Sequence, residues 1–195
     1  MEHHRIKKLD LVARQDEIRR AAERYEIFIA GPYIDVTKPR TEEVNSLDKG
    51  KLIRFDVYQY YNDSGHNIYM GEDVELQKIG QKHYGNKSNA AFFERHYIID
   101  NIDTVIMFPF GPGAFCELGD WATTKSTCEK MLVLIAKEFE GKPSYINDGT
   151  AKAARHFGAE IVYVDYENFD EVIGECNRFI ESRATDARVE KLFDR

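Results

Sequence analysis

Glu117 has the best-defined chemical setting of any residue in this sequence. It follows an apolar run, Val105-Ile106-Met107-Phe108, and a glycine turn, Gly111-Pro112-Gly113, and it stands near the start of a helix-like segment that continues through Leu118-Gly119-Asp120-Trp121. A helix start offers free backbone N–H groups and the positive end of a dipole, which favour an anion or developing negative charge. Glycine there lets a ligand approach the backbone. A carboxylate kept ionised beside a pocket of sugar size can attack an anomeric carbon, provided that a second acid protonates the leaving group, as in retaining glycoside hydrolysis. Glu94 is the candidate for that second acid. Its helix, expected from about Ala90 to Asn101, runs antiparallel to the strands, so its first turn falls at the same end of the sheet as Glu117. Asp100 and Asp103 fall at the opposite end and read as structural. An exposed helix charge is the competing account of Glu94, and an ordinary turn that of the glycines.

The hydrophobic pattern supplies the elements that must hold these groups. Leu11, Ile18, Ala21 and Ala22 mark an amphipathic helix over Leu9 to Tyr25, and Ile27-Phe28-Ile29-Ala30 is a buried strand that ends at Gly31-Pro32. After a loop from Tyr33 to Asn45, Ser46-Leu47-Asp48-Lys49 opens a helix that reaches Tyr61. Either Leu52, Phe55 and Gln59 or Ile53 and Val57 form its inner face, and Asn62-Asp63-Ser64-Gly65 closes it. A short strand over Asn67 to Met70 precedes Gly71-Glu72-Asp73. The fourth strand, Lys130 to Ala136, is apolar throughout beyond its first residue, as parallel strands covered on both faces are. A short helix over Thr150 to Gly158, a fifth strand over Ile161 to Val164, a helix over Phe169 to Ser182 and a charged tail over 183–195 complete the chain.

Strands alternating with helices predict an α/β fold: one doubly wound domain over 1–195, with a five-stranded parallel sheet in the order 2-1-3-4-5, helices on both faces, and an enlarged 33–90 region. Ligands of such sheets bind beyond the carboxyl ends of the strands, at the switch between strands one and three. Gly31, Pro32, Tyr33, Phe110, Gly111 and Gly113 are therefore expected around a substrate. Glu72 and Asp73 follow strand two at the same end, where acids can accept hydrogen bonds from ribose hydroxyls, although Asp73 can equally cap a helix. Phe55, Tyr58, Tyr60 and Tyr61 read first as core or oligomer contacts and second as a base-stacking surface. Trp121, four residues past Glu117, packs under the site.

Composition narrows the classes. The 195 residues carry a net charge of −7 with 43% hydrophobic content, which disfavours polymeric nucleic acid as a partner, since that needs a basic footprint. Cys116, Cys128 and Cys176 are odd in number and widely spaced, which argues against a disulfide scaffold or zinc site and for a reducing, cytoplasmic setting; Cys116 reads as a small buried residue beside the turn. The first residues show no apolar signal region, no run is long enough to span a membrane, and the histidines lack metal-ligand spacing.

Ile27-Phe28-Ile29-Ala30-Gly31-Pro32-Tyr33 resembles the opening strand and loop of the nucleoside 2-deoxyribosyltransferase superfamily. Asp103-Thr-Val-Ile-Met, a glycine loop, then Glu117-Leu118-Gly119-x-Ala is similar to its central signature. That superfamily includes nucleoside deoxyribosyltransferases, deoxynucleoside monophosphate N-glycosidases, ribosyl-CMP hydrolases and related domains of phage-defence effectors. The resemblance implies that Glu117 is the nucleophile at C1′, that Tyr33 contacts the sugar or orients Glu117, that no cofactor is needed, and that the chain forms a homo-oligomer. Two departures are visible. Arg95 stands where the family usually has Asp, with Glu94 adjacent, and the loop from Phe108 to Cys116 lacks the serine of the monophosphate-cleaving branch. The expected activity is cleavage or exchange of the N-glycosidic bond of a nucleoside, nucleotide or related base–ribose compound. The alternatives are a non-catalytic nucleotide sensor or defence-effector subunit and a lysine-decarboxylase-like phosphoribohydrolase, whose Pro-Gly-Gly-x-Gly-Thr loop this sequence does not match.

Overall fold

The apolar runs lie side by side in a computed structural model of the chain, which describes residues 25–43, 48–85 and 89–193. β1 (Glu26–Ala30), β2 (Asn67–Tyr69), β3 (Thr104–Met107), β4 (Met131–Ala136) and β5 (Glu160–Val164) form one all-parallel sheet in the order β2-β1-β3-β4-β5. This is the class and strand order that the alternation of elements predicts. Side chains alternate across the pleat. Ile27, Ile29, Ile106, Leu132 and Leu134 enter one core, and Phe28, Val105, Met107, Val133 and Ile135 enter the other.

Helices cover both faces. α1 (Lys49–Asp63) and the final helix, α6 (Phe169–Phe193), close the first core; α2 (Val74–Tyr84), α3 (Ala90–Asn101), α4 (Pro112–Trp121) and the short α5 (Ala151–His156) close the second. Single helical turns at Arg40–Glu43 and Lys125–Cys128 join them. Asp48 caps α1, its carboxylate accepting from the Lys51 N–H at 3.1 Å. The inner face of α1 takes in Ile53 and Val57 of the second expected phase and Phe55 of the first, together with Tyr61, while Gln59 is exposed. Phe55 and Tyr61 are core residues, and Tyr60 leans edge-on against Tyr61 and Phe169, so this aromatic cluster packs the fold and does not line the pocket described below.

Three expectations need correction or delimitation. The segment expected as a charged tail continues α6 as far as Phe193. Its residues include no glycine or proline, and Glu, Arg, Lys and Ala are all good helix formers. Cys116 is exposed, because it sits on the outer side of α4, while Cys128 and Cys176 are buried. The helix expected over Leu9 to Tyr25 lies outside the described residues except at Tyr25.

At the amino end of the sheet, the Asp103 carboxylate accepts from the Glu26 N–H at 3.1 Å. Nearby, the Lys130 ammonium donates to the carbonyls of Ile99 and Ile102, both at 2.8 Å, and of Ile98 at 3.3 Å, closing the carboxyl end of α3. These contacts support the structural role expected for the acid at 103.

Gly50, in the first turn of α1, faces the ring of Phe110, and a Cβ there would overlap the ring. The Gly50→Ala protein is expected to lose roughly 1–3 kcal/mol of stability through overpacking, despite the gain in helix propensity. Urea denaturation of the two proteins measures the difference.

Candidate active site

β1 connects toward β2 on one side and β3 toward β4 on the other, so the loops that leave them part and open a crevice at the carboxyl end of the sheet. The Phe108 N–H donates to the Ala30 carbonyl at 2.9 Å, extending the pairing just beyond the strands, and the Phe110 N–H turns back to the Phe108 carbonyl at 2.8 Å. Gly111 then adopts φ 91° and ψ 163°, a region essentially confined to glycine. Pro112 takes the first helical position, where a missing N–H costs nothing. The helix thus begins inside the glycine turn, and Glu117, its sixth residue, lies in the second turn and not, as expected, in the first.

A pocket of about 460 Å³ occupies the crevice. It gathers nearly all of the residues singled out from the sequence: Gly31, Pro32 and Tyr33 from the β1 loop, Glu72 from the β2 loop, Glu94 from α3, Phe110, Gly111 and Gly113 from the β3 loop, and Glu117 from α4. Tyr33 is 63% exposed and stands at the rim. Asp73 is the exception. Its carboxylate accepts from the Met70 N–H at 2.8 Å, closing the turn after β2, and makes no bond to the start of α2. Asp73 thus stands at the N-cap position of α2 without a side-chain capping bond.

Arg54 is the residue that sequence reasoning missed. It is buried on the inner side of α1 and pairs with Glu72 through Nη1 at 2.5 Å and Nη2 at 2.9 Å. The same guanidinium donates to the carbonyls of Pro32 at 2.8 Å and Ile29 at 2.7 Å. With the Ile34 N–H also donating to Glu72 at 3.2 Å, the Glu72 oxygens are largely engaged within the protein. The available signal was a cation beside Ile53 in a helix whose inner face was ambiguous.

Glu94 and Glu117 share an electrostatic environment. Burial pushes the Glu94 carboxyl up to about 7, the charges of Glu117 and Glu72 push in the same direction, and Arg54 opposes them. Burial also raises Glu117 to about 7, with Arg54 opposing and Glu72 reinforcing. Burial favours the protonated form of both carboxyls, and the charge of Glu117 adds to this at Glu94. Glu94 lies against the bare backbone of Gly71, where a Cβ would come within 2.5 Å of its Oε1. Arg95, the departure from the family pattern, lies outside the pocket lining and pairs with Asp120, tying α3 to α4.

Among the described residues no group of three or more His, Cys, Asp or Glu side chains is placed to hold a metal ion, and no helix is long and apolar enough to cross a membrane.

A doubly wound sheet with paired carboxyls at its switch point defines the class. The family model described as STM3845 retron effector protein matches residues 51–195, and the chain belongs to that family. A protein of the Escherichia coli retron Ec86, named "putative ribosyltransferase/DNA-binding protein", is 31% identical over 78 residues; the match covers 40% of this chain and 25% of that relative.

Both carboxyls have an ordinary value of 4.5 and are raised on folding, so the folded protein binds more protons than the unfolded chain between about pH 4.5 and 7. Stability therefore falls as pH rises through that window. Glu94→Gln is expected to stabilise the protein at about pH 8 by on the order of 2 kcal/mol and to make little difference below about pH 4, as read from denaturation midpoints across pH.

Proposed function

We propose that this retron effector cleaves or exchanges the N-glycosidic bond of a nucleoside, nucleotide or related base–ribose compound. The observation that carries this is the pair Glu94 and Glu117, both raised to about 7, in one pocket over a helix start at the β1–β3 switch. The name of the retron Ec86 relative includes a ribosyltransferase, which is compatible with the same chemistry here.

In this scheme the Glu117 carboxylate attacks C1′ as the bond to the base breaks, and the electron pair of that bond goes to the base nitrogen. Glu94 delivers its proton there. Glu94, now a carboxylate, takes a proton from water or from a second base, which attacks C1′ and releases Glu117, as in double-displacement glycoside chemistry. The raised value of Glu94 suits it to hold a proton until departure, and Arg54 favours the ionised state of Glu117. The N–H groups of Gly113 and Ala114 at the start of α4 offer donors to a 5′ substituent. The non-catalytic sensor has less support, because Glu94, the candidate for the acid that a sensor would lack, lines the pocket. Homo-oligomerisation and a cytoplasmic setting are part of the proposal.

Incubation with nucleosides, nucleoside monophosphates and NAD, with free base followed by chromatography, tests this reading. Glu117→Ala is expected to abolish release. Glu94→Gln should slow it by about 10²–10⁴-fold for neutral bases and far less for a cationic base such as 7-methylguanine, which leaves without protonation. The proposal fails if no member of the panel yields free base or exchanged product, or if Glu117→Ala releases base as fast as the unaltered protein.

A further inference from the structure

Glu94 stands in the wall of two cavities. Toward the sheet it faces the pocket just described. Between α2 and α3 lies a second cavity of about 300 Å³, which shares Gly71, Gln77 and Glu94 with the first and is completed by Gln81, Asn89, Ala90 and Phe93. That volume is at the lower end of the roughly 300–1,000 Å³ of small-molecule sites.

The two cavities differ in chemistry. The first is walled by glycine backbone, a helix start and carboxylates. The second presents three primary carboxamides and the buried ring of Phe93, and among the described residues Glu94 is the one ionisable group in its lining. The Gln77 Nε2 donates to the Gly71 carbonyl at 3.2 Å, which orients the amide and leaves Oε1 and a second N–H for a ligand. The Asn89 Oδ1 caps α3 by accepting from the Phe92 N–H at 2.9 Å, leaving its Nδ2 as a donor. The Gln81 amide has no hydrogen-bond partner among the described residues. Such a set of neutral donors and acceptors beside an apolar ring fits a neutral heteroaromatic with a hydrogen-bonding edge. The described residues of the lining offer no cation to a phosphate.

We propose that the second cavity is the subsite for the base, with Gln77, Gln81 and Asn89 reading its edge. This rests on the glycosidase reading for the orientation it assigns. The ribose lies over Glu117 in the first cavity, the glycosidic bond sits at the shared wall, and Glu94 meets the nitrogen that departs. Base preference is then set by α2 and the start of α3, and the sugar by the loops after β1 and β3.

The test uses free adenine, guanine, hypoxanthine, cytosine, uracil and nicotinamide, titrated into ¹⁵N-labelled protein while the side-chain amide signals of Gln77, Gln81 and Asn89 are followed. The same titrations are run on Gln81→Leu and on Asn89→Asp, which keeps the capping oxygen and removes the N–H donors. At least one base is expected to move these signals, and the substitutions to weaken its binding by about tenfold or to reorder the preference among bases. Binding that leaves the three amides unmoved, no binding at millimolar base, or variants with an unchanged order of preference overturns the proposal. The two readings fail separately. Base binding at the amides without any turnover keeps the subsite and removes the glycosidase, whereas base release with preferences indifferent to Gln81 and Asn89 does the reverse.

Discussion

The buried guanidinium of Arg54 is the interaction on which the site depends. It reaches from α1 under the carboxyl end of the sheet and holds three things at once: the Ile29 carbonyl of β1, the Pro32 carbonyl of the following loop, and the carboxylate of Glu72. β2 pairs with β1 only as far as Phe28, so the Ile29 carbonyl just past that point finds its partner in a side chain instead of a strand. A charge so deeply buried is tolerated because its partners are in place, and removing one of them from such a pair typically costs about 3–5 kcal/mol. The positive charge of the cation also opposes the upward shift of both Glu94 and Glu117.

The parallel sheet explains how distant segments converge. All five strands point the same way, so the segments that leave β1, β2 and β3 meet at one end, and α3, running back against the strands, delivers its first turn there. Four separate stretches of sequence therefore contribute to one pocket without any of them being long. The electrostatics follow from this convergence. Three glutamates and one arginine are brought into one crevice, where burial first, and the neighbouring carboxylates after it, raise Glu94 and Glu117 against the opposing charge of Arg54.

Much of this was legible in the sequence, for reasons that can be assigned residue by residue. β1, β3 and β4 read as strands because their apolar runs are nearly unbroken, and the placement of Glu94 and Glu117 at one end followed from chain direction alone. Arg54 was not legible, because a cation in an amphipathic helix ordinarily faces water and the phase of α1 had two solutions. The turn-closing bond of Asp73 was not legible because a helix cap, a ribose ligand and a turn-closing acid share the same sequence signature. The extension of α6 was misread as tail because its charge obscured its helix propensity, and its length became visible only with the tertiary contact of Ala184.

Lys130 has a geometric consequence. Its ammonium fastens the end of α3 at the entrance to β4, and α4, which bears Glu117, issues from β3, the neighbour of β4 in the ladder. The helices that carry the two carboxyls are thus each referred to one of two adjacent strands, whose spacing is set by the hydrogen-bonded ladder. Drift on the solvent faces of either helix can alter charge, solubility or contacts with other molecules while these two anchor points stay fixed.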